Sequence, residues 1–147
     1  MDRLQWTVKN FHQLTGKEVY EIYKARVDVF VVEQECPYHE VDPYDLFSLH
    51  VFTTDEDGAI IAYARIFEMD DGVSFGRVLV REDCRGKGLA QLLVAKVLRV
   101  IKKRFANMPV AIEAQEYIQS LYTPFGFEPA SEIFVLDGIP HVRMEKK

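Results

Sequence analysis

The sequence predicts an α/β fold in which a mixed, mostly antiparallel central sheet carries helices on both faces. Strand-like apolar runs recur along the whole chain, whereas long helical periodicity occurs only twice. Aspartate-glycine pairs that suit tight hairpin turns separate several of these runs, which favours antiparallel neighbours. The 147 residues match the usual size of one domain, so we expect a single domain over residues 1–147.

The chain begins with a strand followed by a helix. Leu4, Trp6 and Val8 alternate with polar residues, a period typical of a short half-buried strand. Thr15 and Glu18 then form a capping-box pattern, in which each side chain satisfies a free N–H group at a helix start. Apolar residues recur at three- and four-residue steps after it, so we predict a helix of about four turns. It should end before Cys36-Pro37.

A meander of three strands follows the helix. The runs at 47–53, 60–67 and 73–80 are separated by Asp57-Gly58 and Asp71-Gly72, which tolerate the positive φ of hairpin turns. Residues 89–105 then show helical spacing and form the predicted crossover to a buried strand at 108–113, parallel to 73–80.

The last part of the chain predicts a short helix and a closing hairpin. The helix should run from Gln115 to near Thr123, since Pro124 cannot extend it. Strands at 127–135 and 140–144 follow, with Asp137-Gly138 at their turn.

Composition excludes several classes of function. The formal net charge of −5 disfavours nucleic-acid binding, which depends on clustered Lys and Arg. No apolar run approaches the about 20 residues of a membrane span, and the N-terminus lacks a secretory pattern, so we expect a cytoplasmic protein. Cys36 and Cys84 predict reduced thiols. Cys36, His39, Glu40, Asp42 and Asp45 lack the paired ligand spacing of structural zinc sites, so no metal is expected. Acidic residues crowd the same segment at Glu33, Glu35, Glu40, Asp42 and Asp45, and we call it the acidic loop.

The segment 78–90 is the most informative for chemistry, because a strand enters a glycine-containing turn that leads directly into a helix. Free N–H groups at the positive end of the helix dipole suit a phosphate, and Gly86, Gly88 and Ala90 would let a pyrophosphate approach the backbone. No Lys-Ser or Lys-Thr pair follows, so this is not a Walker loop. An ordinary solvated turn is the alternative.

Two linked motifs give a resemblance to a known family. Arg85-x-x-Gly88-x-Ala90 resembles the acyl-CoA-binding signature of the GNAT acetyltransferases, and Tyr122 followed by Gly126-Phe127 resembles the second half of that pattern. Further segments, including 30–34 and 137–141, look like the ElaA-like branch of the family.

The resemblance implies a GNAT-like fold and an N-acetyltransferase that moves an acetyl group from acetyl-CoA to a primary amine by direct attack in a ternary complex. Tyr122 is implied as the general acid. Glu113 is a candidate general base, with Glu33, His50 or a chain of waters as alternatives. The implied cofactor-binding residues are Val78, Leu79, Val80, Arg85, Gly86, Lys87, Gly88, Leu89 and Ala90.

The acceptor is less well specified by the sequence. Candidate substrate-binding residues are Glu33, His50, Arg65, Arg77 and His141. The acidic loop would attract a cationic amine, whereas Arg65 and Arg77 would suit an anionic one if they face the pocket. A small molecule or a peptide could serve as acceptor, no nucleic-acid or membrane partner is expected, and monomer and homodimer both stay open. A non-catalytic acyl-CoA-binding module is the alternative function.

Overall fold

The computed structural model describes residues 4–147 and has a mixed α/β architecture built on two sheets. In chain order the elements are β1 (Thr7–Asn10), α1 (Gly16–Arg26), β2 (Leu49–Thr54), β3 (Ile60–Met69), β4 (Gly72–Val80), α2 (Leu89–Arg104), β5 (Ala111–Gln115), α3 (Gln119–Tyr122), β6 (Phe127–Pro129), β7 (Phe134–Leu136) and β8 (Ile139–Lys146). No helix among residues 4–147 has both the length and the apolar character needed to cross a membrane.

Both sheets are antiparallel, and their strand orders place β4 next to β5. The first sheet runs β1-β2-β3-β4, and in the second β8 pairs with β5, β6 and β7. The Val73 N–H donates to the Pro109 carbonyl at 2.9 Å, and Val73 bridges Val110 in parallel. This confirms the predicted parallel direction. No ladder joins the two strands beyond that bridge within residues 4–147, so they separate toward their C-terminal ends.

Helices cover both faces of the first sheet. Successive side chains of β3 point to opposite faces, so each face has apolar residues for a helix to cover. Ala62, Ala64 and Ile66 join the larger core with α2, whereas Tyr63 joins the smaller core with α1. The Thr15 hydroxyl accepts from the Glu18 N–H, as the capping box predicts. Wider, π-helical turns continue this helix over Val27–Glu33, and it ends before Cys36 as expected.

Several local expectations need correction. The predicted helix 115–123 is shorter, because Gln115 ends β5 and α3 spans only Gln119–Tyr122 between two short 3₁₀ turns. The β3–β4 turn uses Asp70 and Asp71, and Gly72 is already in the strand, where a Cβ would lie 2.4 Å from the Pro109 carbonyl oxygen. The predicted buried strand starts later, at Ala111. The predicted strand 127–135 is two strands, since four residues, 130–133, stand opposite two on β8.

The other two turn predictions are confirmed. Gly58 has φ of +83°, and the two-residue turn Asp137-Gly138 has φ of +52° and +77°. Both angles in the second turn are positive, as a type I′ hairpin requires.

Candidate active site

A cleft of about 530 Å³ opens where β4 and β5 separate, a volume that suits a small-molecule ligand. Its walls come from β4, the end of β5, the turns after β5, the π-helical turns and the loop after them. Eleven sequence-predicted residues line it: Glu33, Arg65, Arg77, Val78, Leu79, Val80, Arg85, Ala90, Glu113, Tyr122 and His141. Gly86, Lys87, Gly88 and Leu89 continue the same wall between Arg85 and Ala90 without lining the cleft itself.

The turn before α2 has free backbone donors at the positive end of a helix. Gly86 and Gly88 both have φ of +79°, and no side chain caps the helix at Gly88. The first N–H groups of a helix have no intrahelical partner, and no acidic residue lies in this first turn. A Cβ at Gly86 would meet nothing within 4 Å, so the space over the turn is open. These features fit a pyrophosphate, while Leu89 is buried and anchors the helix.

A β-bulge distorts β4 in the wall of the cleft. Tyr63 pairs with Leu79 and Arg65 with Gly76, so Arg77 and Val78 together stand opposite Ala64. Arg77 has φ of +51°, which is uncommon for a residue other than glycine. The bulge interrupts the β3–β4 ladder, so backbone groups there become available to a ligand in the cleft.

Tyr122 lies at the end of α3 with its ring in the larger core. The ring packs edge-on against Phe75 and Phe127, with centroids 6.0 and 6.1 Å away. No group among residues 4–147 forms a hydrogen bond with its hydroxyl. The oxygen is not among the fully buried polar atoms that lack a partner, so it is accessible from the cleft. Burial raises the pKa of Tyr122, with a smaller contribution from Tyr117. The phenol therefore keeps its proton at neutral pH, which is the form that a general acid needs.

Two further candidates share one face of the second sheet. Glu113 and Gln115 of β5 pair with Arg143 and His141 of β8, which puts all four on the same face. Glu113 is exposed, whereas His141 is buried and its Nδ1 lies 2.7 Å from the Ile139 carbonyl oxygen.

The acidic loop is not a free negative surface, contrary to expectation. Its carboxylates at positions 40, 42 and 45 form ion pairs with Arg26, Arg65 and Arg77, so three negative charges meet three positive ones. Burial alone would raise the pKa of Asp45, but the hydrogen bond and charge of Arg26 hold it below its ordinary value.

The same cluster of ion pairs determines whether Arg65 and Arg77 can bind an anionic acceptor. Arg65 and Arg77 do line the cleft, but their guanidinium groups are engaged by carboxylates at 2.7 to 3.4 Å. Glu40 holds Arg77 twice, through its carboxylate at 2.9 Å and its carbonyl at 3.0 Å, and also accepts from the Tyr38 hydroxyl. The cluster therefore fixes the bulge and offers no free site for an anionic acceptor.

Glu33 and Arg85 form an ion pair with each other. The Arg85 guanidinium donates to both Glu33 oxygens at 2.6 and 3.1 Å, and its Nε donates to the Val80 carbonyl at 2.9 Å. Arg85 thereby ties the end of β4 to the π-helical turns. His50 lies outside the cleft and is 1% exposed, bound to the Tyr63 hydroxyl and the Asp45 carbonyl. The structure thus gives His50 no route to a substrate in the cleft.

Sequence reasoning missed the contacts that span the cleft. The side-chain amides of Gln34 and Gln115 pair at 3.3 and 3.4 Å, and the Cys36 thiol donates to the Asp137 carbonyl at 3.1 Å. These pairs join residues about 80 to 100 positions apart, so no local pattern could have indicated them. Within residues 4–147 no group of three or more His, Cys, Asp or Glu is arranged to hold a metal ion.

The arrangement of two antiparallel sheets with covering helices is also found in two solved structures. A crystal structure described as an acyl-CoA N-acyltransferase from Pseudomonas aeruginosa has a TM-score of 0.93 and 35% identity to this chain, covering 99% of it and 100% of that chain. The structure of Escherichia coli ElaA also has a TM-score of 0.93 at 35% identity, covering 98% of this chain and 100% of that one.

The family follows from the sequence comparison. The family model described as "Acetyltransferase (GNAT) domain" matches residues 17–147, and the chain belongs to this family. A UPF0039 protein of Schizosaccharomyces pombe is 40% identical over 146 residues, spanning 98% of this chain and 97% of that protein. Protein ElaA of Escherichia coli is 36% identical over 149 residues, with the same two coverages. The predicted family and its ElaA-like branch are thereby confirmed.

Proposed function

We propose that this protein transfers an acetyl group from acetyl-CoA to a primary amine, by direct attack of the amine in a ternary complex. The observation that carries the proposal is Tyr122, whose unpartnered hydroxyl faces the cleft where β4 and β5 separate. A thioester lying in that cleft would bring its sulfur within reach of a protonated phenol, which a direct transfer needs for its leaving thiolate.

The remaining residues support binding and orientation. The turn from Gly86 to Ala90 would hold the pyrophosphate through backbone N–H groups, and Lys87 would add charge at its rim. Backbone groups of Val78, Leu79 and Val80 would pair with the amides of the pantetheine arm, because no ladder within residues 4–147 joins this part of β4 to β5. A donor N–H at the bulge would also polarise the thioester carbonyl.

The experiment is an acceptor screen with acetyl-CoA that follows thiol release. The panel should include small amines, amino acids and peptides with free N-termini or lysines, with propionyl-CoA and succinyl-CoA as alternative donors. Amine-dependent thiol release with acetylated product supports the proposal. Tight CoA binding in calorimetry without turnover on any amine would favour the non-catalytic binding module.

A further inference from the structure

His141 lies near the start of β8 and lines the cleft. Its side chain is buried, with 9% of the residue exposed, and its ring stacks on Phe134 at a centroid distance of 6.1 Å. It pairs with Gln115 of β5 on one side and with Phe134 of β7 on the other. The ring is therefore held in one orientation in the wall that it shares with Tyr122.

The tautomer of His141 follows from its hydrogen bond. Nδ1 lies 2.7 Å from the Ile139 carbonyl oxygen, and a carbonyl oxygen only accepts, so Nδ1 carries the proton. Nε2 of the neutral ring then bears a free lone pair. No group among residues 4–147 forms a hydrogen bond with Nε2. Among these residues the one side-chain polar atom that is both fully buried and without a partner is Nε of Arg65, so Nε2 of His141 is accessible. Nε2 is therefore a hydrogen-bond acceptor without a partner, on a buried residue that lines the cleft.

The competing bases have less suitable positions. Glu33 is already engaged by Arg85 through both of its oxygens, and His50 is sealed outside the cleft. Glu113 is exposed, so solvent competes for its carboxylate. His141 alone among these four combines burial, a fixed orientation and an unengaged acceptor atom.

We propose, on the basis of the proposed acetyl transfer, that His141 is the general base of the reaction. As the amine nitrogen bonds to the acyl carbon, Nε2 of His141 takes the proton that the nitrogen loses. The carbon–sulfur bond breaks, and the thiolate takes the proton of Tyr122. His141 returns its proton to solvent, Tyr122 regains one, and the two transfers balance without another reactant.

The charged groups around His141 are few. β7 contributes no charged group. The segments next to β8 at this point carry three carboxylates and one phenol, and β8 itself carries an arginine two residues after His141. They are Glu113, Glu116, Tyr117, Asp137 and Arg143. Glu113, Tyr117 and Asp137 line the cleft, and of these three Glu113 is the one that lies on the same face of the sheet as His141. Glu113 is therefore the competitor that the experiment must separate from His141.

The test compares His141→Ala with Glu113→Gln in the full-length chain, using the best amine from the screen. We expect His141→Ala to lower kcat/KM by about 10²–10³-fold at pH 7, with little change in the affinity for acetyl-CoA. Added imidazole should restore activity to the folded variant, which a purely structural histidine would not allow. His141→Gln, which keeps a polar side chain of similar size, should lose the acidic limb of the pH–rate profile.

Phe134→Leu controls for the stacked ring, and it should keep the acidic limb. Unimpaired turnover of His141→Ala, or loss of the acidic limb in Glu113→Gln instead, would overturn the assignment and leave the proposed function standing. A wild-type protein that releases no thiol with any amine would overturn the proposed function, and the role of His141 with it.

Discussion

Tyr122 is the residue whose environment most directly serves a proton transfer. Its ring is packed by Phe75 and Phe127, so the hydroxyl has a fixed position at the cleft. Removing that oxygen should leave the packing intact and remove only the proton donor. We expect Tyr122→Phe to lower kcat by about 10²–10⁴-fold with little change in acetyl-CoA affinity. Steady-state kinetics and thermal unfolding of the same sample check this, and full turnover would remove Tyr122 from the mechanism.

His50 predicts a pH dependence of stability rather than of catalysis. Its Nε2–H donates to the Asp45 carbonyl at 3.0 Å and its Nδ1 accepts from the Tyr63 hydroxyl at 2.6 Å, so the neutral ring is fully satisfied. Burial lowers the pKa of His50 below 6.5, and the nearby Arg26 and Arg65 add to this. The unfolded chain therefore binds a proton more readily than the folded one.

Because the folded pKa of His50 is lower than the unfolded one, acid lowers the stability of the protein. The stability contributed by His50 is complete above about pH 6.5 and is lost as the pH falls from there through the lowered folded pKa. Each unit of depression corresponds to about 1.4 kcal/mol. His50→Gln can keep both hydrogen bonds without titrating, so urea unfolding of this variant should show a flatter profile between pH 7.5 and 5.5. Equal slopes for variant and wild type would contradict the interpretation.

At the scale of elements, the turn into α2 could be predicted from sequence and the bulge in β4 could not. Glycine spacing after an apolar strand is a local signal, and both glycines have the positive φ that such a turn needs. The bulge contains Arg77, which is held by Glu40, 37 residues away. The acidic loop was misinterpreted for the same reason, since its arginine partners lie on α1, β3 and β4.

The turn into α2 also yields a prediction about cofactor affinity. Gly88 has φ of +79°, where a β-branched residue is strained by about 1–3 kcal/mol, so Gly88→Val should shift the backbone N–H groups. We expect CoA affinity to fall about tenfold or more, while Lys87→Ala, the matched control, changes it by less. Calorimetry on folded variants measures both. Small and equal effects would argue against the turn as the pyrophosphate site.

At the scale of the whole molecule, the cleft exists because the two sheets meet at one end only. The order of strands along the chain and the positions of the two long helices were predictable, because apolar periodicity and turn pairs are local. The junction was not, because it depends on the approach of two strands separated by a helix. Gly72 illustrates this: the sequence assigned it to a turn, whereas the fold needs it where β4 meets the chain before β5.

That junction is open to a direct test. An alanine at position 72 would place its Cβ 2.4 Å from the Pro109 carbonyl oxygen, and this carbonyl also accepts the 2.9 Å hydrogen bond from Val73. The backbone must move, so we expect Gly72→Ala to lower the free energy of unfolding by about 1–3 kcal/mol. Gly76→Ala is the matched control in the same strand, because a Cβ there meets nothing within 4 Å. Its stability should be unchanged or slightly higher, since glycine weakens a strand interior. Urea unfolding of both variants compares them, and equal stabilities would show that the two sheets do not depend on this contact.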